Sequence, residues 1–170
     1  MRRLTFFLAA VLLFPCAAIG QAADMVSQPD RAFVAMVSQG GMFEVMAGQV
    51  GAEQGSNQDI KDQGVTEAHD HQLVGAKLKS IAMTVGLPFP HQLSPMFQNK
   101  LAALKALSGP AFDAAYLQAM NEIHAKDGAA FAEEAKTGTN ADLRAFAAET
   151  HRIVLRHIGE LNAIGSAGAL

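Results

Sequence analysis

The sequence predicts an all-α chain, a four-helix bundle whose central crossover carries a short extra helix. Three observations predict it. Apolar residues recur at helical spacing over four long stretches, Gly, Pro and Asn punctuate the chain between them, and no stretch alternates long enough to be a strand. Half of the residues are hydrophobic and 17% are charged, enough apolar material for one well-filled domain. The 13 basic and 16 acidic side chains, a formal charge of −3, supply no basic surface for a phosphate backbone, which argues against nucleic acid as a partner.

Residues 1–22 read as a cleavable signal peptide rather than as part of the fold. Met1-Arg2-Arg3 is a basic start, and the apolar run from Leu4 to Phe14 is too short to span a bilayer. Small residues at Ala18 and Gly20, or at Gly20 and Ala22, place the new terminus at Gln21 or Ala23. The surroundings of Arg2-Arg3 do not complete a twin-arginine signal, so the general secretory route is expected. Leu13-Phe14-Pro15 puts bulk where lipidation of Cys16 needs small residues. Cleavage removes this one cysteine, so no disulfide or thiol serves the mature domain, residues 23–170. No later stretch reaches the roughly 18 apolar residues of a membrane helix, and the expected location is periplasmic or secreted.

The elements follow in order. Ser27 or Gln28 with Pro29 and Asp30 opens a helix over 29–54, ended by Gly55. Ser56 and Asp59 form an approximate capping box for a second helix over 57–85, closed by Gly86. Leu87-Pro88-Phe89-Pro90-His91 is a rigid connection, after which Ser94-Pro95 starts a short helix over 95–107. Ser108-Gly109-Pro110 restarts the chain as a helix over 110–136, and Thr139 or Asn140 caps the last, 141–164. Two hairpins joined by a crossover, or a plain up-and-down bundle with a decorated loop, both satisfy these lengths.

The polar residues on the apolar stripes are the informative part. At 100° per residue, Glu44 shares a face with Phe33, Val37 and Gly51; His71 with Ile60, Gly64, Leu78 and Ala82; His124 with Leu117, Met120 and Phe131; and His157 with Phe146, Thr150 and Leu161. Each long helix thus carries one ionisable group inward, near mid-bundle. Glu67 lies one turn before His71, and Asp113 three turns before His124. Counted from the two turns, the groups stagger within each hairpin by about 7.5 Å. His69, His91 and His151 lie off these faces and are expected in solvent, whereas Met36, Met46 and Met120 read as core filler.

The segments Gly41 to Gln49, Asp70-His71 with Leu78 and Ala82, Ser108-Gly109 with Phe112-Asp113 and Tyr116, His124, and Leu143 to His157 resemble an exported bacterial family, domain of unknown function 4142. Its members are often labelled outer membrane proteins. The resemblance covers about residues 28 to 164 and implies a ferritin-like bundle, with no established activity. Glu44, His71, Asp113, His124 and His157 are the matched positions. Asn121-Glu122-Ile123-His124 departs from the family pattern, which more often has an acid directly before this histidine.

Two readings of the inner layer stand at this point. In the first, which the sequence favours, Glu44 and the histidines form a hydrogen-bonded network that fixes which helix faces which, in a binding or envelope-stress module with an envelope protein partner. In the second, Glu44, His71, His124 and His157 hold a divalent metal with Glu67 and Asp113 outside them, as in storage, buffering or detoxification. The usual di-iron pattern of Glu-x-x-His is absent, because Glu67 is four residues before His71 and Ile153 stands four before His157. GxSxG, HExxH, Walker, CxxC and EF-hand motifs are missing, so the sequence leans away from an enzyme of a known motif class.

Overall fold

The computed structural model describes residues 26–167, and the expected signal peptide with its cleavage sites lies outside them. The described residues form five helices: α1 (Gln28–Gln54), α2 (Gln58–Thr84), α3 (Pro95–Lys105), α4 (Gly109–Thr137) and α5 (Ala141–Ala167). No strand occurs among the described residues.

Short polar side chains set the helix starts. Ser27 and Asp30 form a reciprocal capping box on α1, the Asp30 amide donating to Ser27 Oγ at 3.2 Å and the Ser27 amide to Asp30 Oδ2 at 2.9 Å. Asn57 Oδ1 accepts from the Ile60 amide at 3.1 Å, and Asn140 Oδ1 from the Leu143 amide at 3.0 Å. The expected Ser56–Asp59 box is therefore replaced by an Asn57 cap, because Ser56 is turned toward Asp113. Gly86 and Gly109 flank the crossover with φ of 69° and 60°, the left-handed region that favours glycine.

Two aspartates fix the topology. Asp30, at the start of α1, accepts from the amides of Thr139 at 2.9 Å and Asn140 at 3.2 Å in the α4–α5 turn. Asp113, near the start of α4, accepts from the Ser56 amide at 2.9 Å, from the Ser56 hydroxyl and from Asn57 Nδ2 at 3.0 Å, in the α1–α2 turn. The start of each hairpin is thus latched to the turn of the other, which makes α1 and α4 antiparallel. The crossover must then run the length of the bundle. Packing agrees: α1 lies against α2 and α4, α5 lies against α4 and α2, and α3 covers α1 and α4. This is the two-hairpin arrangement, not the plain up-and-down one. Gly55-Ser56-Asn57 and Gly138-Thr139-Asn140 occupy equivalent turns, and Asp30 and Asp113 equivalent helix starts, at one constant offset in sequence.

Close approach of backbones aligns the first hairpin. A Cβ on Gly64 would stand 2.6 Å from the Gly48 carbonyl oxygen, and one on Gly48 would stand 2.8 Å from the Gly64 oxygen. This seam brings Glu44 and Glu67 to one level. Two apolar clusters fill the bundle. One, around Phe43, Phe97, Phe112, Tyr116 and Leu161, lies toward the α1–α2 turn; the other, around Phe33, Leu78, Phe131, Leu143 and Phe146, lies toward the α4–α5 turn. Met120 is buried as expected, but Met46 is 38% exposed, because its position on α1 is rotated off the core stripe.

Candidate metal centre

Between these clusters lies a polar layer. Glu44, Glu67, His71, His124 and His157 are all buried, at most 1% exposed. The four stripe residues therefore face inward, as their periodicity predicts. Glu67, expected outside the layer, stands at its middle instead. Its Oε1 is 3.1 Å from His71 Nε2 and 3.0 Å from His124 Nε2, and its Oε2 is 3.1 Å from His157 Nδ1. His124 Nε2 and His157 Nδ1 are 3.2 Å apart. One ligand atom from each of Glu67, His71, His124 and His157 falls within 4.8 Å of all the others.

The opposite side of each ring faces an acceptor. His124 Nδ1 donates to the Met120 carbonyl at 2.8 Å, one turn back on α4. His157 Nε2 stands 3.0 Å from Asp70 Oδ2, beside an Asp70–Arg156 ion pair. Arg156 approaches the same nitrogen at 3.0 Å, so Nε2 donates to Asp70 when it carries the ring proton and accepts from Arg156 when it does not. His71 Nδ1 stands 3.0 Å from Glu44 Oε2. A neutral ring with its proton on the outer nitrogen turns a lone pair inward, an arrangement that the Met120 carbonyl favours for His124. Three ring nitrogens and a carboxylate converge; protonated rings donate to Glu67, and rings that are neutral with the outer nitrogen protonated turn lone pairs toward it. Glu67 Oε1 and both ring nitrogens of His71 lack any partner at hydrogen-bond angles despite their proximity to Glu67 and Glu44. In a tetrahedral site with bonds of about 2.0–2.2 Å the donor atoms stand roughly 3.3–3.6 Å apart. The Glu67–imidazole and His124–His157 separations fall a few tenths of an ångström short of that, and the group as a whole lies within 4.8 Å. The donor set and its outer acceptors fit a cation.

Around Glu67 the supports are polar and specific. Gln63, one turn earlier on α2, donates from Nε2 to Glu67 Oε2 at 2.7 Å, and its Oε1 accepts from the buried Tyr116 hydroxyl. Burial pushes the Tyr116 phenol up, and Glu67 and Glu44 push it further, so the proton stays on the hydroxyl. Burial alone would raise Glu67, but hydrogen bonds from His124, His157 and His71 hold it well below the usual carboxylate range. Burial would lower His71, yet Glu44 and Glu67 raise it to about 10, and they raise His124 as well. Without a cation, the layer therefore takes up protons. A cavity of about 300 Å³ between α1 and α2 reaches Glu44 and His71 past Met42, Val74 and Phe89.

Asp113 is not part of this layer. It shares the face of His124 but lies three turns away, about 16 Å along the axis, where it latches the α1–α2 turn. His69 and His91 are exposed and His151 is half-buried. Gln63, Tyr116 and Asp127 were not singled out from the sequence as part of the centre; the spacing of Gln63 to Glu67 and of Asp127 to His124 is the signal that could have found two of them. Asp127 is 1% exposed, and burial, followed by the charge of Glu44, pushes its carboxyl up to about 7.

No helix among the described residues is long and apolar enough to cross a membrane. No curated protein and no solved structure matches the chain. A family described as Domain of unknown function (DUF4142) matches residues 16–164, from before the first capping box to the last turns of α5. With so much of the chain matched, latches, turns and polar layer included, the protein belongs to the DUF4142 family.

Proposed function

We propose that this protein binds one divalent transition-metal cation in its bundle core, through His71 Nε2, His124 Nε2, His157 Nδ1 and the Glu67 carboxylate. The observation that carries the reading is the convergence of a buried carboxylate and three buried imidazoles while the outer ring nitrogens face Glu44, Met120 and Asp70. Three imidazoles and one carboxylate suit zinc, with iron, manganese and copper in the same ligand class. The protein fills four positions and apolar clusters close the layer on both sides, an arrangement suited to holding a cation for storage, buffering or detoxification. Together with the signal-like residues 1–22, this makes an exported metal-binding bundle. In the second reading, a purely structural layer, protonated rings donate to Glu67 and Glu44 and the layer is indifferent to chelator.

Titration of chelator-treated protein with Zn(II) tests the proposal. One tight equivalent per chain is expected, with release of protons from the imidazoles, and His124→Ala with His157→Ala should abolish it. Absence of Zn(II) binding, or tight binding that survives the double substitution, would refute it.

A further inference from the structure

A second group of buried acceptors lies beside the first. Asp127 sits one turn after His124 on α4, and its Oδ2 has no hydrogen-bond partner; Glu44 Oε1, across on α1, has none either and lies 3.7 Å from His124 Nδ1. The chain makes room for Asp127. A Cβ on Gly40 would fall 1.8 Å from Asp127 Oδ2 and 2.8 Å from its carboxyl carbon, so α1 carries a glycine where this carboxylate rests. Gly40 is one turn before Glu44, which puts both acids between α1 and α4 on the same side of the imidazoles. Glu44 and Asp127 are also related by the sequence offset that relates Asp30 to Asp113 and the two turns to each other. A buried carboxylate with an unmatched oxygen is costly, and two close together more so, unless a proton or a cation is shared between them.

We infer that Glu44 Oε1 and Asp127 Oδ2 form a second cation position, adjacent to the histidine site and made of carboxylate oxygen. Glu44 then serves both positions: Oε2 faces the outer nitrogen of His71, and Oε1 takes the second ion. Oxygen donors select a hard divalent ion of the manganese or magnesium class, which keeps several waters when two carboxylates hold it. The cavity that reaches Glu44 is also lined by Phe131, one turn after Asp127, and not by Asp127 itself. This inference rests on the histidine site proposed above.

The test loads the full chain with one equivalent of Zn(II) and then titrates Mn(II), following the loss of the free Mn(II) electron-paramagnetic signal. One Mn(II) per chain is expected. Asp127→Asn should still take Zn(II) yet bind Mn(II) at least tenfold more weakly, and Gly40→Ala, which displaces the Asp127 carboxylate, should do the same. Normal Zn(II) binding without Mn(II) uptake would overturn the second position alone, as would equal uptake by Asp127→Asn. Failure to bind Zn(II) at all would remove the histidine site and this inference with it.

Discussion

Chelated protein is expected to melt well below protein carrying one equivalent of Zn(II). Binding to the folded state alone contributes RT ln(1 + [L]/Kd), about 2.7 kcal/mol at a hundredfold excess over Kd, or roughly 5–10 °C for a chain of this size. The gap should depend on pH. His71 is raised to about 10 in the metal-free fold against an unfolded value of about 6.5. A raised folded value gives stability that is fully present below the unfolded value and is lost as pH rises through the folded one. The chelated protein therefore weakens from about pH 6.5 toward about pH 10. Over the same range protons stop competing with the cation, so Zn(II) affinity climbs. Thermal melts with and without Zn(II) at about pH 6 and about pH 9 measure this, and the separation should be wider at the higher pH. A melting temperature indifferent to chelator at both values would contradict it.

Replacing Glu67 should have the largest effect of any single substitution in the layer. Its carboxylate is the common partner of three imidazoles and of Gln63. Glu67→Gln removes the charge while keeping the volume, leaving buried rings that have lost their shared anion. The cost expected in metal-free protein near neutral pH is about 3–5 kcal/mol, read from denaturant unfolding. Asp70→Asn reaches the layer only through the outer nitrogen of His157, besides weakening the exposed Arg156 pair, and should lower Zn(II) affinity by roughly 10–100-fold without comparable loss of stability. Equal effects of the two substitutions on stability would show that Glu67 is not the hub.

How these residues were and were not legible follows from helical geometry. Periodicity gives the angle of a side chain about its helix, which is why Glu44, His71, His124 and His157 could be assigned to the interior before any coordinates. It gives height only through the turns, and depth hardly at all. Asp113 matched the angle of His124 but not its height, and so read as a partner when it is a latch on the neighbouring hairpin. Glu67 and Glu44 both matched. Which of them stands among the rings depends on how closely α1 and α2 approach at Gly48 and Gly64, a tertiary distance that no spacing within one helix encodes. The crossover was legible as a longer connection, whereas its end-to-end course needed the contacts of Asp30 and Asp113 across hairpins. Asp127 was obscured because its carboxylate fits against α1 through the missing side chain of Gly40, a signal split between two helices.

The most direct measurement is anomalous diffraction at the zinc edge from crystals of the zinc-loaded protein. The account predicts one strong peak about 2.0–2.2 Å from His71 Nε2, His124 Nε2, His157 Nδ1 and a Glu67 oxygen, with the outer nitrogens still facing Glu44, Met120 and Asp70. No peak among the four, with the rings hydrogen-bonded to Glu67 in protein that had been offered Zn(II), would contradict it.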